Sequence, residues 1–558
     1  MSKSDPEKHT LLNRRQALLL PATAGMEAAL ALPANASDST KTAAHQAPGN
    51  CSTPRSAIAK TQYGKVRGYV DASVLTFKGI PYGQDTGGEN RWLPAKPPKP
   101  WDGEYPALIY GPNCPQRLHD WAIEQSFLQD WDDGYLGEDM LKLNIWTPSL
   151  TGKRPVMFYI HGGMFEFGSS YELPSHEGAQ MARNHDVVQV SVNHRLNALG
   201  FLDVSEVGGS AYEGSVNVGM TDLVAALRWV RDNISSFGGD PDKVMIYGQS
   251  GGGSKVTTLL GMPSAAGLIH SASAQSGGGG SIPDGAESKE FARQMVKELG
   301  IQAKDIAALQ KMEWSRLIAA GRAARAKMNT PASGSSSRFA WSPTVDGHII
   351  NVRSFFDVAP EVSKNVPMLM GSVSEEGNHM LSRPTEAEWH AGLVKSFGEA
   401  KATALVAGLK KAHPEKSIRK LSYMCGGSSP LNTLLMRNNV VKMSKLKYEQ
   451  KAAPVYTYYF TWQSPMLEDA GAWHTAELAF CFDNTKRCEQ GTGHTPEAQA
   501  LAKKMATAWA NFARTGNPSQ PGLAWTPTSP DRCPTMVFDN QCRMVDDPEG
   551  EVRKILLS

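Results

Sequence analysis

Tyr247-Gly248-Gln249-Ser250-Gly251-Gly252-Gly253-Ser254-Lys255-Val256 contains the chain's one G-x-S-x-G pattern. An apolar run, Val244 to Tyr247, enters it and a helix-like run, Lys255 to Leu260, leaves it. A strand-to-helix turn of this kind strains the serine backbone so that its hydroxyl projects from the turn, and glycines two residues to either side let strand and helix approach closely. Gly248 and Gly252 meet that need. A Gly-rich turn opening a helix also suits a phosphate, but neither G-x-G-x-x-G nor G-x-x-x-x-G-K-[ST] occurs here, so a nucleophilic serine is the stronger reading.

Outward from the turn, Val156 to Ile160 runs into His161-Gly162-Gly163, and Val187 to Val192 forms a second apolar run. Between that run and Val244, Leu223, Val224, Leu227, Val230 and Ile234 recur at helical spacing, which predicts a β-α-β unit of a parallel sheet. Pro367 to Met370 and Val455 to Phe460 read as further strands. In such sheets the chemistry gathers beyond the carboxyl ends of the strands.

A serine hydroxyl is a weak nucleophile until a base takes its proton, and the base needs a carboxylate to orient it. The expected chain order is Ser, acid, His. Glu375-Glu376-Gly377 follows a strand and supplies the acid. Of five downstream histidines (His379, His390, His413, His474, His494), spacing alone selects none; position after the Val455 to Phe460 strand favours His474.

Composition bounds the rest. The chain has 558 residues, with 57 Lys+Arg against 55 Asp+Glu, and no block of like charges, which argues against a nucleic-acid binder. No run reaches the 18 to 20 apolar residues of a membrane span. Asn13-Arg14-Arg15 opens an Ala/Leu-rich stretch ending in Ala34-Asn35-Ala36, which predicts a twin-arginine-like signal over 1–36, export to periplasm or medium, and a flexible linker over 37–57. Seven cysteines contain no C-x-x-C, so no zinc site is expected; spacing permits bridges Cys481–Cys488 and Cys533–Cys542 without requiring them. Length alone suggests three or four domains. The candidate residues are scattered across the chain and must converge, so 58–558 is read as one catalytic domain.

His161-Gly162-Gly163-Met164-Phe165, the Ser250 turn, Glu376-Gly377 and His474-Thr475-Ala476-Glu477-Leu478-Ala479-Phe480 together resemble the type-B carboxylesterase family, the α/β-hydrolases that include cholinesterases. Phe77 to Tyr82, Gly137 to Asn144, Asn193-His194-Arg195, Phe237 to Pro241 and Trp509 to Gly516 extend the resemblance over most of the chain. It implies an α/β-hydrolase fold: a mostly parallel sheet flanked by helices, with insertions forming a substrate gorge. It further implies a serine carboxylesterase acting on a small-molecule ester without metal or cofactor. Ser250 would be the nucleophile, His474 the base and then acid, and Glu376 its orienting carboxylate, because the family's acid directly precedes the Gly. The N–H groups of Gly163, Met164 and Gly251 would form the oxyanion hole, and Ser276 would support the triad from behind. The same fold also serves catalytically silent binding proteins, and the same triad would serve lactones, thioesters, carbamates or amides.

Three departures from the family pattern sharpen the reading. Met164 stands where a third Gly is common, adding bulk beside the scissile bond. Gln249 replaces a frequent Glu, which disfavours a choline-ester specialist. Met140 takes the place of the cysteine that would bridge to Cys114, so Cys114 is expected buried and free unless it finds Cys51. Trp121 and Trp131 lie in that unbridged loop and receive no role. Oligomeric state is not legible.

Overall fold

The computed structural model describes residues 57–118, 123–302, 304–328, 341–377, 383–427 and 431–558. The expected signal over 1–36, the linker up to residue 56, Cys51, Trp121 and His379 lie outside them. An 11-stranded sheet dominates. Its strands in chain order are β1 (Tyr69–Asp71), β2 (Val74–Pro81), β3 (Lys142–Thr147), β4 (Arg154–Ile160), β5 (Val188–Val192), β6 (Gly239–Gln249), β7 (Ser271–Gln275), β8 (Met368–Val373), β9 (Val455–Phe460), β10 (Pro534–Phe538) and β11 (Arg543–Asp546). Across the sheet they run β11-β10-β9-β8-β7-β6-β4-β5-β3-β2-β1. Every pair from β5 through β10 is parallel, and the flanking pairs are antiparallel. The five runs read as strands from their apolar character all lie in the parallel stretch.

Side chains alternate across a strand, so a sheet buried on both faces needs apolar residues at every position. Val156, Phe158 and Ile160 of β4 enter one core with Leu223, Leu227 and Val230 of α1 (Val218–Asn233) and Val256 and Leu259 of α2 (Gly251–Leu260). Met157 and Tyr159 enter the opposite core with Leu501, Met505 and Trp509 of α4 (Pro496–Thr515). A further helix, α3 (Thr433–Glu449), contacts β8 and β9.

The α1 helix starts at Val218 and carries Asp222 in its second turn. Asp222 is fully buried and takes Arg195 in a two-pronged pair (Nε–Oδ2 2.8 Å, Nη2–Oδ1 2.6 Å) that ties the loop after β5 to α1.

The two short bridges that cysteine spacing permits do not form: Cys481, Cys488, Cys533 and Cys542 are all free thiols. Cys481 Sγ accepts from Gln275 Nε2 (3.5 Å), and Cys533 Sγ sits among Ser444, Thr457 and Thr535. Cys481 and Cys533 are thus held by other neighbours. Cys114 is buried and free as expected, accepting from Leu196 N at 3.2 Å, while Met140 Sδ accepts from the Thr86 hydroxyl at 3.4 Å.

Candidate active site

Five neighbouring strands end beneath the candidate residues. β4 ends at Ile160 ahead of Gly163, β6 at Gln249 ahead of Ser250, β7 at Gln275 ahead of Ser276, β8 at Val373 ahead of Glu376, and β9 at Phe460 ahead of the loop bearing His474. The parallel register therefore lines up residues far apart in sequence along one edge of the sheet.

At the turn between β6 and α2, Ser250 adopts φ 59° and ψ −123°. A non-glycine residue in this region stores strain of about 1–3 kcal/mol. Its amide donates to Gln275 O (2.7 Å), and its carbonyl accepts from Ser254 N (3.1 Å), so strand β7 and helix α2 together impose the conformation. Glycine is needed at the crossing: a Cβ on Gly252 would stand 2.2 Å from Ile160 O, and one on Gly248 2.5 Å from the same atom.

Glu376 is completely buried and its two oxygens have separate tasks. Oε1 accepts from Val373 N (3.0 Å), and Oε2 lies 2.5 Å from His474 Nδ1. Thr433, at the start of α3, braces the turn by accepting from Glu376 N and donating to Ser374 O, both at 3.0 Å. The meeting of β8 and β9 residues continues past both strands through a parallel bridge between Glu375 and Trp473, with Glu375 N donating to Ala472 O at 3.2 Å. That bridge sets His474 opposite Glu376. Gln129 Nε2 donates to Thr475 Oγ1 at 2.7 Å and fixes the loop from its other side.

Glu375 itself points elsewhere. It takes Lys416, the Ser374 hydroxyl, Ala472 N (2.8 Å) and Gln463 Nε2 (3.2 Å). Burial alone would raise its carboxyl, but Lys416 and these donors hold it below the usual carboxylate range. Among the described histidines, His390 meets Thr403, His413 meets Glu549 and His494 meets Thr485. Only His474 of these reaches Glu376, which resolves the choice that spacing left open.

With Nδ1–H given to Glu376, His474 Nε2 offers a lone pair. Gln249 Nε2 lies 3.2 Å from it, and among the described residues no hydrogen bond joins it to the Ser250 hydroxyl. Catalytic hydrogen bonds are often long or misaligned before substrate binds. Sequence alone marks Gln249 as a lost charge beside the nucleophile; its contact with His474 exists only in the fold.

Gly163 (φ 73°) and Met164 (φ 57°) turn the chain after β4. Gly163 O faces Glu166 N (3.1 Å) and Phe167 N (3.2 Å). A Cβ on Gly251 would stand 2.3 Å from Met164 O and 2.4 Å from Met164 N and Cα, so the backbones of 251 and 164 are in direct contact. Ser276 is buried at φ 45°, its amide donating to Gly371 O (2.8 Å) and its hydroxyl without a protein partner. It touches neither Glu376 nor His474 by a hydrogen bond among the described residues. Trp131 packs edge-on to Phe167, 6.3 Å between ring centres, and donates to Asp133 Oδ1 at 2.8 Å.

Sequence alone assigns no role to two further buried ionisable groups, Glu477 and Lys255. Glu477 is within reach of the Tyr458 hydroxyl (3.5 Å), and burial pushes its carboxyl up to about 8. Lys255, five residues past Ser250, donates to the carbonyls of His161 and Gly162, and burial pushes its amine down to about 7. The signal for Lys255 was available: a lysine in an otherwise small and apolar helix run directly after the turn.

Comparison with known proteins agrees with this architecture. The model of the Carboxylesterase family matches residues 55–553. Para-nitrobenzyl esterase of Bacillus subtilis (strain 168) is 30% identical over 502 residues, covering 89% of this chain and 98% of that protein. Acetylcholinesterase of Bungarus fasciatus is 29% identical over 510 residues, covering 83% and 78%. Among solved structures, an esterase from Clostridium hathewayi that can hydrolyse aliphatic aromatic polyesters superposes with a TM-score of 0.76 at 33% identity, covering 89% and 97%. With a mostly parallel sheet flanked by helices and this similarity along nearly its whole described length, the chain belongs to the carboxylesterase family and is a carboxylic ester hydrolase of the α/β-hydrolase fold.

Proposed function

We propose that the chain hydrolyses esters through an acyl-enzyme on Ser250. The observation that carries this is the 2.5 Å contact between buried Glu376 and His474 Nδ1, on the same sheet edge as the strained Ser250 turn. Glu376 holds the imidazole in the tautomer whose Nε2 is free to take a proton. Substrate entry displaces the Gln249 amide, the Ser250 hydroxyl passes its proton to Nε2, and its oxygen bonds to the ester carbonyl carbon. The carbonyl oxygen becomes an oxyanion facing the amides of Gly163, Met164 and Gly251; losing one such donor typically costs about 3–4 kcal/mol. His474 returns the proton to the leaving alcohol, and water repeats the cycle to release the acid. Ser276 follows Gln275, whose carbonyl accepts from Ser250 N, and in this reading it supports the triad from behind without touching the reacting atoms.

The rival reading, a silent binding protein on this fold, is separated by a fluorophosphonate probe, which forms an adduct only with an activated serine. Lactones, thioesters, carbamates and amides use the same acyl transfer and remain within the proposal's reach. With a near-balanced charge and Gln249 where a carboxylate is frequent, uncharged esters fit better than cationic ones.

Met164 shapes the alcohol side. Its side chain stands beside the amides that face the oxyanion, and its φ of 57° is a conformation glycine adopts freely. Met164→Gly should therefore raise kcat/KM for a tertiary-alcohol ester relative to the matching ethyl ester by about tenfold or more, the scale of a few methylenes of pocket space. Unchanged ratios in paired ester assays would refute the steric role.

The N-terminal signal is also part of the proposal: the protein is exported, and its mature form begins near Ser37. N-terminal sequencing of protein recovered from the periplasm or medium checks this, an intact Met1 terminus being the contrary result.

A further inference from the structure

Lys255 has no solvent exposure, yet among the described residues no carboxylate is in ion-pair contact with it. Its Nζ donates to His161 O at 3.0 Å and Gly162 O at 3.2 Å, and lies 5.7 Å from the centre of the Phe165 ring. The carboxylate that acts on it electrostatically is Glu172, which is already engaged by Ser169 N (2.6 Å) and faces His176 Nδ1 at 3.5 Å. An ammonium buried without a carboxylate is costly to keep, so its placement calls for a role.

The geometry supplies one. A trans peptide points its C=O and N–H in opposite directions. Gly162 O and Gly163 N–H belong to one peptide unit, and His161 O and Gly162 N–H to the unit before it. A donor that grips both carbonyls from one side turns the corresponding N–H groups to the other. A cation at the carbonyl end also polarises the amide, making its N–H a stronger donor in a dry site.

Of the other ionisable groups around it, His161 shares the grip on one carbonyl, its Nδ1 lying 3.1 Å from Gly162 O. His161 and His194 stack at 5.1 Å, and burial first, then Lys255, pushes both far below the usual imidazole range. The buried Cys114 thiol is raised by its desolvation.

We propose that Lys255 is the positioning residue of the oxyanion hole, orienting and polarising the Gly162–Gly163 peptide toward the tetrahedral intermediate. This rests on the Ser250 reading above, and Lys255 acts through the backbone without touching substrate.

The test uses the full chain with Lys255→Met, which keeps the length and apolar stem but has no donor, and Lys255→Gln, which keeps one. Steady-state kinetics with p-nitrophenyl acetate are compared with inhibition by an aryl trifluoromethyl ketone, whose serine adduct places an oxyanion in the hole, and with thermal melting. The expected result for Lys255→Met is a kcat about 100-fold lower with KM within about threefold, and ketone affinity weakened by a similar factor. Lys255→Gln should recover part of both. A purely structural role would lower the melting temperature while leaving ketone affinity intact. A folded Lys255→Met with kcat and ketone affinity within about threefold of the parent overturns the proposal. If Lys255→Met does not fold, Lys255→Gln must show the same split between kcat and KM, or the proposal fails. Fluorophosphonate labelling of the parent protein separates the two readings: no labelling defeats the Ser250 mechanism itself, whereas normal labelling with an unaffected Lys255 variant defeats only this inference.

Discussion

Ser250→Ala should lower kcat for p-nitrophenyl acetate by about 10⁴- to 10⁶-fold, the range seen when a triad nucleophile is removed. The substitution deletes the atom that attacks and little else. The Ser250 hydroxyl has no hydrogen-bond partner among the described residues, and the bonds that hold the turn are made by its backbone, from Ser250 N to Gln275 O and from Ser254 N to Ser250 O. Alanine bears the same strain at φ 59° as serine does. Thermal melting should therefore be unchanged while activity collapses. A variant retaining more than about a tenth of the parent's turnover would show that another group attacks the ester.

Glu376→Gln should be nearly as damaging, with kcat down about 10⁴-fold in the same assay. The glutamine amide can present an N–H to His474 Nδ1 where the carboxylate presents an acceptor. The imidazole then keeps its proton on Nε2, the position that must take the proton from Ser250. The adjacent Glu375 provides an internal control, because the two neighbours face opposite ways. Glu375→Gln leaves the triad untouched but breaks a buried pair with Lys416, so it should cost about 3 kcal/mol of stability while kcat stays near the parent value. Kinetics and melting on the two variants should give mirrored results. If Glu375→Gln is the catalytically dead one, the assignment is inverted.

What the sequence disclosed follows from which features are local. The Ser250 turn is local: an apolar strand, glycines at 248 and 252 and a helix run stand within a short stretch, and the crowding around Ile160 O explains why glycine occupies both positions. The parallel strands were equally legible, since burial on both faces leaves unbroken apolar runs such as Val156 to Ile160. Position after the Val455 to Phe460 strand and the family resemblance favour His474, although spacing alone selects no histidine. Its partnership with Glu376 depends on the Glu375–Trp473 bridge, a contact between segments about a hundred residues apart that no spacing rule reveals.

The same limit explains what the sequence did not disclose. Cys481 and Cys488 are close in sequence, yet Cys481 is turned toward Gln275 at the end of β7, a strand far upstream. The pairing of Asp222 with Arg195 likewise joins α1 to a loop far from it in sequence. Gln249 lies beside the nucleophile in sequence, but its contact with His474 exists only once β6 and the loop after β9 are brought together. Lys255 is read from sequence as a helix lysine; the carbonyls it grips belong to the loop after β4.

The central claim is that Ser250 is the activated nucleophile, and the most direct measurement is peptide mass mapping of the protein after brief exposure to a fluorophosphonate. The predicted result is one adduct per chain, carried by the peptide containing Ser250, and no labelling of Ser250→Ala or of denatured protein. An unlabelled native protein, or an adduct on any other serine, would contradict it.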